Sequence, residues 1–134
     1  MRIFVPGDTA ARSVGADEVA ALLAELPDAE VVRNGSRGLL WLEPLVEVET
    51  PLGRIAYGPV SPADVESLVA ADLAQGGAHP LRLGGIEHHP WFGAQDRVTF
   101  ARVGVVDPLS VDDYERLGGL SGLRNALADR KSVV

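Results

Sequence analysis

Apolar and polar positions alternate between two periods along this chain, and the changes of period mark its elements. Ile3-Phe4-Val5 is a continuous apolar run that reads as a short buried strand, ended by Pro6-Gly7-Asp8. From Asp17 the apolar positions Val19, Leu22, Leu23 and Leu26 fall at i, i+3, i+4 and i+7, predicting a helix stopped by Pro27, with Asp17 and Glu18 at its positive end. Glu30 to Arg33 returns to a strand pattern. Leu45 to Glu49 alternates strictly, and Arg54 to Tyr57 answers it across Thr50-Pro51-Leu52-Gly53, predicting a β-hairpin with one wet face. Ser61-Pro62-Ala63-Asp64 combines an N-cap, a first-turn proline and an acidic third position. The helix it starts carries Val65, Leu68, Val69 and Leu73 and stops at Gly76-Gly77.

Up to residue 77 these elements describe a two-layer α/β domain of about four strands in a mixed sheet with two main helices. From Ala78 the texture changes. Gly84-Gly85, His79-Pro80 and His89-Pro90 interrupt the pattern, and only Arg97 to Val103 alternates like a strand, so 78–103 reads as an extended linker arm packed by Trp91 and Phe92. Asp107-Pro108-Leu109-Ser110 then opens a capped helix from Val111 to Leu117, and Ser121 caps a last one containing Leu123, Ala126 and Leu127. Ser132-Val133-Val134 carries no stop signal, and the pattern reads as though more should follow.

Composition narrows the chemistry. The chain has 134 residues, enough for one domain with an appendage, and 46% of them are hydrophobic against 23% charged, the balance of a folded protein. A net charge of −7 without a basic cluster opposes sequence-independent nucleic-acid binding, which needs Lys and Arg to displace counterions. No apolar run approaches the roughly 20 residues that span a bilayer, and the first residues lack a signal peptide's apolar region. A cytoplasmic location is the expectation. The absence of cysteine removes disulfides, thiolate catalysis and every Cys-ligated zinc or iron–sulfur site.

The chain is organised around Val31 to Pro44, V-V-R-N-G-S-R-G-L-L-W-L-E-P, where a strand enters a glycine-containing loop and then an aliphatic and aromatic cluster. Gly35-Ser36-Arg37-Gly38 has the donors to cradle an anion, or is a tight turn. Leu39, Leu40, Trp41 and Leu42 either fill a core or face a partner. Glu87, His88, His89 and His79 are competent metal ligands, but adjacent residues of an extended segment point apart, and a solvated or packing role accounts for them. Asp112, Asp113 and Glu115 sit in or beside a first helical turn, where the helix dipole explains them. No nucleophile with an oriented base is visible.

Two stretches bring a family into view. Val103-Gly104-Val105-Val106-Asp107-Pro108-Leu109-Ser110-Val111-Asp112-Asp113-Tyr114, then Gly118-Gly119, resembles the opening of the flavin- and NADH-binding subunit of complex I and its relatives. The first 75 or so residues resemble the thioredoxin-like 2Fe–2S ferredoxin domain of a neighbouring subunit. The two are fused in this order in diaphorase subunits of soluble NAD-dependent formate dehydrogenases and NAD-reducing hydrogenases, and N-G-S-R-G-L-L-W-L-E-P-L-V-E-V-E-T-P with F-V-P-G-D-T-A-A looks most like the formate dehydrogenase β subunit. The resemblance implies three parts: a thioredoxin-like domain over 1–77, the arm over 78–103, and the opening helices of a truncated flavoprotein-like domain over 104–134. It also implies that the cluster ligands would fall at Pro6, Ala11, Ser36 and Leu40, with Gly38 retained, and none of the four supplies a thiolate. The family's glycine-rich G-R-G-G-A-G-F stretch for FMN and NADH is absent too, as are the later cysteines of a 4Fe–4S cluster. The implied role is therefore non-catalytic. The chain itself holds no cofactor, FMN, Fe–S and NAD belong to the whole complex, and the partners are the other subunits, met through Leu39, Leu40, Trp41, Trp91 and Phe92. An independent binding module of the same fold, a homodimer included, is the competing expectation.

Overall fold

The computed structural model describes residues 1–129; the Ser132-Val133-Val134 end lies outside them. Strand β1 (Arg2–Phe4) leads through a one-turn helix α1 (Thr9–Arg12) and helix α2 (Ala16–Ala24) to β2 (Glu30–Val32). The two strands pair in parallel, Ile3 opposite Val31, as a crossover helix requires. Strands β3 (Val46–Thr50) and β4 (Gly53–Tyr57) form the expected hairpin, with Thr50 opposite Gly53 and β3 antiparallel to β1. Helix α3 (Val65–Ala70) follows, entered through a 3-10 turn in which the Asp64 carboxylate accepts from the Ser61 backbone N–H at 2.8 Å. The sheet order is β2-β1-β3-β4-β5, the last strand being Arg82–Gly85. Its first four strands and the α2 and α3 helices match the mixed four-stranded sheet with two main helices expected from the sequence.

The fifth strand was not expected. Arg82–Gly85 (β5), inside the segment read as an arm, pairs antiparallel with β4 and extends the sheet past residue 77. Conversely, Arg97–Val103 alternates without being a strand: Thr99 to Val103 form turns. A short helix α4 (Pro90–Gly93) precedes those turns, and α5 (Val111–Arg116) and α6 (Ser121–Ala128) end the described chain. Ser110 caps α5 by accepting from the Asp113 N–H at 3.1 Å. In α6, Ser121 is the first helical residue, and Leu120 stands at the cap position. Neither helix buries a residue.

Two cores lie on opposite faces of the sheet. Ile3, Val5, Val46, Val48, Ile55 and Tyr57 meet Val19, Leu23, Val65 and Leu68 of α2 and α3 on one face. On the other, Ala56 joins Leu39, Leu45, Ile86 and Phe92 in a second cluster. The face expected to be wet is therefore covered by the 34–45 loop and the segment after β5. Glu47, placed by its alternation on that face, is 1% exposed.

Candidate functional site

What covers Glu47 is the loop from Asn34 to Glu43, and the reason is charge. Arg37 turns inward and grips Glu47 with two parallel bonds, Nε to Oε1 at 2.6 Å and Nη2 to Oε2 at 2.9 Å, the fork geometry of a strong guanidinium–carboxylate pair. Both side chains are 1% exposed. Arg54 approaches the same carboxylate at 3.4 Å, with its guanidinium carbon 3.3 Å from the centroid of the Phe4 ring. Glu87 meets Arg37 Nη1 at 3.0 Å from the exposed side. Burial works against the charge on both guanidiniums. For Arg37 the Glu47 bonds and charge outweigh it and the pKa is raised, whereas for Arg54 burial prevails and the pKa is lowered. Arginine's high intrinsic pKa keeps both charged.

The first loop abuts the second. Gly7 N–H donates to Asn34 O at 2.9 Å, and Ser36 N–H donates to Asp8 Oδ2 at 2.7 Å while Asp8 Oδ1 caps α1. The segments holding Pro6 and Ala11 and those holding Ser36 and Leu40 are thus neighbours at one end of the sheet. Pro6 and Ala11 are buried, Ser36 is partly covered, and Leu40 is exposed. This set offers a ring, a methyl, a hydroxyl and an isobutyl group in place of four sulfurs, so a 2Fe–2S cluster does not fit these residues. Glu43 stands close by, 6% exposed. Its Oε2 accepts from Leu45 N–H at 2.9 Å, and Oε1 has no hydrogen-bond partner among the described residues. Burial raises its pKa, with the Asp8 and Glu47 charges adding to the shift and the Ser36 hydroxyl and Leu45 amide opposing it.

Three donors of the anion-cradle reading of Gly35–Gly38 are engaged within the chain. Arg37 faces Glu47, Ser36 N–H faces Asp8, and Gly38 N–H donates to Ser36 Oγ at 3.1 Å. The segment is irregular backbone with a bend at Gly38. The Leu39–Leu42 question divides by residue: Leu39 is fully buried, whereas Leu40 and Trp41 are 60% and 58% exposed. Phe92 belongs to the core with Leu39, so of the five expected contact residues only Leu40, Trp41 and Trp91 face solvent. Trp41 and Trp91 meet edge to face, their ring centroids 5.3 Å apart. Beside them an open cleft of about 600 Å³ is lined by Ser36, Trp91, Val98 and Phe100 among others.

The histidines are dispersed in role. His89 Nδ1 accepts from Trp91 N–H at the start of α4, and Glu87 is engaged by Arg37. No group of three or more His, Asp or Glu among the described residues is placed to hold a metal ion. Asp113 accepts from Arg116 and the Asp107 N–H, and both bonds lower its pKa. One pair escaped the sequence reading, since His79 Nε2 lies 3.1 Å from Ser67 Oγ. It is not a catalytic dyad. His79 Nδ1 accepts from Leu81 N–H, which leaves the ring proton on Nε2 facing Ser67, while the Ser67 hydroxyl donates to Asp64 O. A general base needs the opposite tautomer. Nor is any helix among the described residues long and apolar enough to cross a membrane.

No family model matches the sequence, and no curated protein matches it. Among solved structures, the chain is similar to the wild-type thioredoxin-like 2Fe–2S ferredoxin from Aquifex aeolicus, with 22% identity over 62% of this chain and 95% of that one, at a TM-score of 0.49.

Proposed function

We propose that the chain is a cluster-free thioredoxin-like docking module of the kind that opens the β (diaphorase) subunit of a soluble NAD-dependent formate dehydrogenase, where it seats the flavin module against neighbouring subunits. The observation that carries this reading is the apposition of the Pro6–Ala11 and Ser36–Leu40 loops without a thiolate between them. In this reading the two loops of a cluster site are kept, and its ligand positions carry the buried Pro6 and Ala11, the partly covered Ser36 and the exposed Leu40. Two further features support a docking role. Leu40, Trp41 and Trp91 form an exposed apolar surface beside that site. Helices α5 and α6 bury no side chain, leaving Val111, Leu123 and Leu127 open to a neighbour.

In this reading FMN, the iron–sulfur centres and NAD reside elsewhere in the complex, and the module transfers no electrons itself. Purified protein incubated with iron and sulfide under reducing conditions should show neither iron–sulfur nor flavin absorbance, and a stoichiometric chromophore of either kind would contradict the proposal. Co-purification with a molybdopterin-dependent subunit supports the formate dehydrogenase assignment. Recovery with hydrogenase subunits moves the same module to an NAD-reducing hydrogenase, and a protein that enters neither complex is an independent binding module.

A further inference from the structure

The turn at Gly104 is held in a way that a linker has no need of. Three donors from the sheet domain converge on two consecutive carbonyls: Asn34 Nδ2 on Gly104 O at 2.7 Å, Arg54 Nη1 on Gly104 O at 3.2 Å, and Arg54 Nη2 on Val105 O at 2.6 Å. Asn34 is 1% exposed and Gly104 is buried. Gly104 has φ +80, and a Cβ there would collide with Arg37 Cγ, so both conformation and space demand glycine. Arg37 and Arg54 are themselves fixed by Glu47. The ion pair inside the domain thereby becomes the seat on which the returning chain rests.

We propose that Asn34, Arg37 and Arg54 form a clasp that fixes Gly104–Val105 against the sheet domain, so that the chain beyond residue 105 departs in a set direction instead of from a flexible tether. The donors read main-chain carbonyls, so the clasp holds a conformation and leaves the neighbouring side chains free to vary. It also shapes the cleft, because Val98, Phe100 and Val103, which line it, lie on the segment that the clasp draws back toward the Ser36–Gly38 loop. Opening the clasp would release residues 94–105 while the five strands stay paired.

The test is limited trypsin digestion of the full chain, following cleavage after Arg102 in parallel with cooperative urea unfolding of the sheet. Asn34→Ala is the cleanest variant, because the one side-chain hydrogen bond that Asn34 makes among the described residues is the one to Gly104 O. Gly104→Val attacks the clasp from the other side. Cleavage after Arg102 should be slow in the parent and about tenfold faster or more in each variant, the scale of losing one or more well-made hydrogen bonds in a local opening, with the urea transition of the sheet still cooperative. A parent cut as fast as the variants would show that the clasp does not hold. Variants in which the segment and the sheet are lost together, Asn34→Ala included, would overturn the claim that it is separable.

Discussion

Replacing Glu47 by Gln removes a charge and almost no volume, and the surroundings set the cost. The Arg37 guanidinium loses a bidentate partner at 2.6 and 2.9 Å in a site where both side chains are 1% exposed. Arg54, at 3.4 Å, then faces Arg37 without an intervening anion. Glu87 remains, but its side chain is 64% exposed and it reaches only one nitrogen of Arg37. Stranding one member of a buried pair costs about 3–5 kcal/mol, roughly a third of the stability of an ordinary domain. In chemical denaturation the midpoint should fall by the corresponding amount with an unchanged slope, and Tm should drop by roughly 10–20 °C. Glu87→Gln, a change at the solvent-facing end of the same network, should cost less than about 1 kcal/mol. If Glu47→Gln proves no more damaging than Glu87→Gln, the buried pair is not what holds the 34–43 loop on the sheet. Substituting both members of the pair by aliphatic residues should recover much of the loss, since the desolvation of two charges disappears with them.

Three further outcomes follow from neighbouring sites. The Glu43 carboxyl is raised above its ordinary 4.5 by burial; its contribution to stability is complete below that value and is lost as pH rises through the folded-state value. Glu43→Gln should therefore stabilise the protein at pH 7–8, with the difference from the parent vanishing near pH 4, and a difference of the opposite slope in pH-dependent urea melts would refute the assignment. Tryptophan emission should be that of water-exposed indoles and be readily quenched by acrylamide, given 58% and 45% exposure of Trp41 and Trp91; a shielded, blue-shifted spectrum would refute the surface placement. Trp41→Ser should change stability by less than about 1 kcal/mol, and calorimetry showing a larger loss would mean that the indole belongs to the core.

The hairpin, the first two strands and both principal helices were legible because each writes its period into a run long enough to count. The sequence could not say where Glu47 points. Alternation separates polar from apolar positions but does not show that an arginine ten residues upstream will bring its charge into the same interior. Arg37 looked like a loop donor for the same reason, and the clasp at Gly104 joins residues 50 and 70 positions apart, beyond any local pattern. Strand β5 is hidden by Gly84 and Gly85, which carry no side chain to alternate. Arg97–Val103 shows the converse, a strand-like pattern that pairs with no strand of the sheet. The candidate loop was found from its glycines and its lack of sulfur, yet its central fact, a buried ion pair, required the fold.

The edges of the sheet limit how anything can join it. Strand β2 has only three residues, with the Glu30 carboxylate paired to Arg2 on its flank. At the other edge, Gly84 of β5 has φ +89, and the β4–β5 register is interrupted between Ala56 and Tyr57. Extending a sheet by one strand requires a straight, sufficiently long row of free N–H and C=O groups, which neither edge presents. A binding partner would therefore have to recognise side chains instead of completing the ladder, with the exposed indole and aliphatic groups at residues 40, 41 and 91 and on α5 and α6 as the apolar groups on offer.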